Sequence, residues 1–276
     1  SGLRALLRVP FNLQLAADLL RLGIGLGRIA PIRTQIELLD RHWEARVIRS
    51  DGRGDEREAV LRRVTVEMVR ARALRAERAV VSSEPQLVRG LREILSAELL
   101  REWQANASAR PERHLLAFAH HILFDDAVAR LVVSPISARN VELLKREPDF
   151  AFAFRSSLRM HFERLWSRSP DREDFWEAVF DLCAIQDVVA IAQIVGPAIA
   201  ADRAAFVEDL RPLLRSLTVA SMTTTATTAL RYLVGALMSR DQTAAADPWY
   251  LIARELVAYP RVALAIIECV PAGLMS

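Results

Sequence analysis

The chain has 276 residues, 52% apolar and 26% charged. That balance excludes a disordered chain and allows one large domain or two to three small ones. The net charge is only +3, aromatic residues make up 7%, and acids and bases alternate through 55–78 and 139–149 as on solvated helix faces, so neither a base-stacking surface nor a basic patch marks a nucleic-acid partner.

Of the 37 basic residues only Lys145 is lysine, a bias that genome composition explains more simply than phosphate recognition. Twelve prolines and ten glycines suit helices joined by short connections. Residues 10–22 place Pro10 in a helix's first turn and Gly23 at its stop. Gly23, Gly25 and Gly27 then form a loop, because no strand precedes them as a dinucleotide fingerprint requires. A second helix is expected over 31–49, with Ile36, Leu39, Trp43 and Val47 on one face, and a third over 55–78. SSEPQ at 82–86 caps a helix over 85–96. Two short apolar stretches, 99–104 and 113–118, flank the polar turn NASARPE and predict a small β-hairpin. A helix follows from His120 to Val132. Helices, hairpin, helix is the order of a winged-helix-like module.

Beyond Ser134 the pattern becomes a succession of amphipathic helices, expected over 137–146, 148–167, 171–183, 185–195, 203–217, 219–239 and 248–268. Their pairing at 35–50-residue spacing predicts an α-solenoid of the HEAT or armadillo kind, with an irregular bundle as the alternative. Cys183 and Cys269 lie in apolar helical surroundings and read as buried free thiols of a reducing, cytoplasmic compartment, a disulfide being the alternative. The most apolar stretches, 188–201 and 251–270, are broken by Pro, Arg or Glu, so no membrane span and no membrane partner are expected.

Chemistry-bearing residues are sparse. His120 and His121 are adjacent, and neighbours on a helix diverge by about 100°, so they do not chelate one ion. Ser156, Ser157 and Cys183 lack a nearby base, and the acidic pairs Asp125–Asp126 and Glu173–Asp174 read as solvated or capping. There is no G-x-x-x-x-G-K-[ST] and no apolar strand ending in an acidic pair, so the chain by itself has no triphosphate cradle.

One segment carries a specific resemblance. In FAHHILFDDAVARLVV at 118–133, Phe118, His120, Asp125 and Ala129 fall in register with the end of the winged-helix domain of STAND NTPases of the NACHT kind. Phe124 and Asp126 depart from the usual glutamine and tyrosine, and Asp125 replaces glutamate, which suits a prokaryotic branch. VPFNL at 9–13 resembles the proline-led start of that family's helical lid, and IELLDRHWEARV at 36–47 resembles its next helix. The likeness spans about residues 3–133. It implies a helical lid over 1–49, a winged-helix-like domain over 50–135 and a helical-repeat region over 136–276. It also implies a regulatory fragment of an ATPase whose ATP- or ADP-holding core lies upstream. In that family the corresponding histidine reaches the β-phosphate of ADP and the lid proline packs on adenine; by position these are His120 and Pro10. The repeats would bind a protein partner or trigger, activation would form a homo-oligomer, and the parent would serve signalling or antiviral defence. Three plainer readings stand beside it: His120 as a hydrogen-bonded core histidine, the tail as an interaction scaffold needing no nucleotide, and DNA binding by Arg89 and Arg92.

Overall fold

A computed structural model describes residues 2–82, 84–104, 108, 110–134, 136, 154–185, 188–218, 224–240, 248–256 and 260–269. The chain is mainly helical with one small antiparallel sheet, and it divides into two compact units, 1–132 and 133–276. Among the described residues no helix is long and apolar enough to cross a membrane.

In the first unit, α1 (Gly2–Leu6) leads into α2 (Pro10–Arg21), whose Phe11, Leu15, Ala16 and Leu19 face the core. Asn12 ties the first turn of α2 to the chain on either side of that helix. It donates to the Leu6 carbonyl at 3.1 Å and accepts from Gln35 at 2.7 Å. The glycine-rich stretch expected as loop holds a single helical turn, α3 (Leu26–Ile29), begun by Gly25.

The helix expected over 31–49 is shorter. Thr34 caps α4 (Gln35–Trp43) by accepting from the Glu37 N–H, and the Glu37 carboxylate accepts from the N–H of Arg33, the residue before the cap, so two backbone donors at the helix start are satisfied. From Glu44 to Ile48 the chain widens into a π-turn. Arg57 on α5 (Gly54–Ala71), fully buried, closes this region. It donates to the carbonyls of Val47 and Ile48 at 2.5 and 3.0 Å, and to Asp51 and Glu93, each at 2.6 Å.

The third helix does not reach residue 78. Arg72 turns left-handed (φ 52°) and the Ala73 N–H closes back on Met68 at 3.0 Å, a helix stop that local hydrogen bonding sets without glycine. The chain then gives β1 (Ala76–Glu77), α6 (Ala79–Ser82) and α7 (Pro85–Ser96). The expected hairpin forms as β2 (Leu100–Trp103) and β3 (Leu115–Phe118), with Leu100 opposite Phe118. β1 adds on the far side of β3, so the sheet order is β1-β3-β2. Its Ala76 pairs with Leu116. Helix α8 (His121–Val128) follows and passes into a π-turn at Ala129.

The described residues of the second unit form helices joined by short turns. Its elements are α9 (Arg155–Arg168), α10 (Glu173–Ala184), α11 (Ala190–Gln193), α12 (Val195–Arg203), α13 (Arg211–Thr218), α14 (Thr224–Met238), α15 (Trp249–Leu256) and α16 (Pro260–Cys269). The helices expected over 185–195 and 203–217 are each divided. The first becomes α11 and the start of α12; the second begins with a 3-10 turn, 207–210, before α13. The expected helix 137–146 and the first residues of 148–167 lie outside the described residues. Helix α14 packs against α10, α12, α13 and α16, so one helix organises this unit. Phe162, Phe175 and Trp176 fill its centre. Arg172 lies over the Trp166 ring at 4.5 Å and pairs with Asp209 at 2.9 Å, while the Trp176 indole donates to the Asp209 carbonyl at 2.8 Å.

Candidate functional site

His120 lies where β3 ends and α8 begins. Leu99 holds the strand end through its carbonyl, which accepts from the Ala119 N–H at 3.0 Å. His120 keeps an extended backbone and caps the helix, its Nδ1 accepting from the Ile122 N–H at 3.2 Å. With Nδ1 used as acceptor, the proton of the neutral ring sits on Nε2, which is left as a donor. Burial, with the neighbouring His121 charge second, pushes the His120 pKa below the usual histidine value, which favours that neutral form.

The His120 ring stacks on Phe11 with centroids 4.1 Å apart and planes 23° off parallel, and the His121 ring is a tilted neighbour at 4.2 Å. Pro10, the other residue singled out in the sequence, stands exposed at the first position of α2. The structure therefore brings the segment of Pro10 and the segment of His120 together, through Phe11, whose role the sequence did not flag.

Beside the stacked rings is a small cleft of about 80 Å³, lined among others by Gln14, Asp18, His42, Arg101 and His120. Its floor is an ionic cluster. Asp18 accepts from Arg46 Nε at 2.8 Å and from His42 Nε2 at 3.1 Å. Burial alone would raise the Asp18 pKa, but the hydrogen bonds and charges of His42 and Arg46 outweigh it and hold the carboxyl well below the usual carboxylate range. Arg101 on β2 is exposed and has no acidic partner among the described residues. Sequence spacing gave no signal for this cluster, because Asp18 and Arg46 are 28 residues apart and meet only where α2 packs on α4 and the π-turn that continues it.

A more open groove runs along α4, past Pro31, Ile32, Glu37, Asp40 and Glu44. Its acids are engaged: Glu37 by the Arg33 N–H, Asp40 by Arg130 and Glu44 by Arg41. No group of three metal-ligating side chains comes together among the described residues. Cys183 is a free thiol whose pKa burial pushes up to about 12, the opposite of an activated nucleophile. Arg89 spends its guanidinium on Glu56, which leaves it poorly placed for phosphates.

Comparison with protein-family models, with curated proteins and with solved structures finds no match to this chain.

Proposed function

We propose that the chain is the regulatory portion of a nucleotide-dependent switch of the STAND NTPase kind, with His120 as a latch that senses the β-phosphate of ADP held by an upstream core. The observation that carries this reading is the stacking of His120 on Phe11 at 4.1 Å. Two stretches that resemble the nucleotide-facing parts of that family, one led by Pro10 and one containing His120, are neighbours in space. His120 also has the protonation the role needs, a neutral ring with its Nε2–H left to donate beside the N-terminal end of α8.

Element order supports the domain part of the reading. Helix α5, strand β1, helices α6 and α7 and the β2–β3 hairpin, with sheet order β1-β3-β2, suit a winged-helix-like domain. The helices of 136–276 would hold the resting state or bind a protein trigger. Exchange of ADP for ATP would release the His120 contact, and the freed winged-helix part would expose oligomerising surfaces.

The test is made on the full-length polypeptide that carries this chain. The proposal requires a Walker A lysine N-terminal to Ser1, and loss of ADP retention together with raised basal activity in His120→Ala. Absence of the lysine, or unchanged ADP retention in the variant, removes the switch.

A further inference from the structure

Among the described residues, the outward face of α2 and the turn after it lack a partner in two respects. Val9, Leu13, Ala17 and Leu20 follow one another at spacings of four, four and three residues, which confines them to an arc of about 80°. Val9 is 45% exposed, Leu13 53% and Leu20 43%, and beyond the helix end Leu22 and Leu26 are exposed too. The opposite side of α2 is already committed, with Phe11, Leu15 and Leu19 in the core. A second, separate feature is charge. Residues 2–34 contain Arg4, Arg8, Arg21, Arg28 and Arg33 against Asp18 as the sole acid, a segment charge of +4 where the entire chain has +3. Asp18 is already engaged by Arg46 and His42, and more loosely by Arg21 at 3.3 Å. Arg4, Arg8 and Arg28 are exposed and have no acidic partner among the described residues.

Three occupants of such a face are separable on physical grounds. A second copy is disfavoured, since an antiparallel α2–α2 pair sets Arg8 of one copy near Arg21 of the other, and the one acid nearby, Asp18, is already shared among Arg21, Arg46 and His42. A bilayer surface calls for a broad apolar face that sinks among the headgroups, and here the exposed arc is narrow because half the helix is spent on the core. A narrow seam at spacings of three and four is what the ridge of a single facing helix fills. We infer that α2 is the docking face for a helix of a partner protein, apolar along one stripe and flanked by Asp or Glu side chains. The apolar seam gives the contact, and the free guanidiniums at its two ends select an acidic helix and set its register. This holds whether or not His120 senses a nucleotide.

The experiment uses the full 276-residue chain and two dye-labelled synthetic helices of about three heptads, both with Leu at the seam positions, one flanked by Glu and the other by Lys. Fluorescence anisotropy is expected to show the Glu-flanked helix binding about tenfold or more tightly than the Lys-flanked one, with the difference shrinking as salt is added. Leu13→Asp with Leu20→Asp should cost about tenfold or more in affinity while the chain stays folded, since both side chains are about half exposed. Arg8→Glu should narrow the preference for the Glu-flanked helix. Equal affinity for the two helices, or no binding of either to the unmodified chain, overturns the inference without any variant having to fold. So does binding to phosphatidylserine vesicles, or a dimer in solution, that the Leu13→Asp, Leu20→Asp chain loses while helix binding is retained.

Discussion

At the scale of single residues, the most consequential side chains are polar groups placed where water is excluded. Arg57 satisfies two carbonyls freed by the π-turn at 44–48 and neutralises Asp51 and Glu93. Replacing it by Met keeps the bulk and leaves those acceptors without their donor, which should cost about 3 kcal/mol in a urea melt, the usual scale for breaking a buried pair. His161 is 95% buried, as its 5% exposure implies, and its Nε2 has no hydrogen-bond partner among the described residues. Burial, helped by the Arg164 charge, pushes its pKa down to about 4. A histidine whose folded pKa lies below its unfolded value binds protons preferentially when unfolded. Its stabilising contribution is therefore complete above about pH 6.5 and is lost as the pH falls toward 4. The melting temperature should drop between pH 7 and pH 5, and His161→Leu should flatten that slope. Glu98 offers the opposite case. It ends α7 in a left-handed conformation (φ 55°) with an exposed side chain, so Glu98→Gly should stabilise by about 0.5–1 kcal/mol through relief of that conformation.

Residue-level chemistry was legible in the sequence only where a motif carried it. His120 stood out there and occupies a helix cap facing a cleft. Phe11, Asp18, His42 and Arg101 did not, since each becomes significant only when α2, α4 and the sheet converge. Local spacing cannot report a contact between residues a few dozen positions apart.

At the scale of elements, periodicity located most helices and the hairpin, while their ends depended on interactions invisible to periodicity. Helix α5 stops at Ala71 because Arg72 adopts the left-handed form, although charged and apolar residues continue the helical pattern to 78. Strand β1 has only two residues, too few for any alternation, and exists because β3 offers it an edge. Packing also explains a glycine that helix propensity would reject. Gly90 lies within α7, and a Cβ there would come within 2.9 Å of the Glu56 carbonyl oxygen and 3.0 Å of Val60 on α5. The close crossing of α5 and α7 needs the missing side chain. Gly90→Ala should thus destabilise by about 1–3 kcal/mol, even though alanine is intrinsically the better helix former by about 1 kcal/mol. A stabilised variant would mean that the two helices can part without loss.

At the scale of the whole molecule, composition correctly indicated a mainly helical, folded chain, because apolar content and the scarcity of glycine and proline act through every element at once. The stacking order of the later helices was beyond it. Amphipathic period gives each helix a buried face without naming the neighbour, and in the second unit α14 serves several neighbours at once. Function sits at this scale too. The proposed switch needs a nucleotide core, a latch and a moving domain, and of these the latch can be probed one atom at a time. His120 makes two separable contributions: Nδ1 caps α8 and Nε2–H is free to donate. Asn at this position retains a side-chain oxygen that can accept from the Ile122 N–H, and it withdraws the donor from the place of Nε2. The most direct measurement is therefore the rate of ADP release from the full-length polypeptide, comparing His120→Asn with the unmodified protein at matched melting temperature. Release should be faster by about tenfold, the worth of one charge-assisted hydrogen bond. An unchanged rate would contradict the latch role and leave His120 as a helix cap alone.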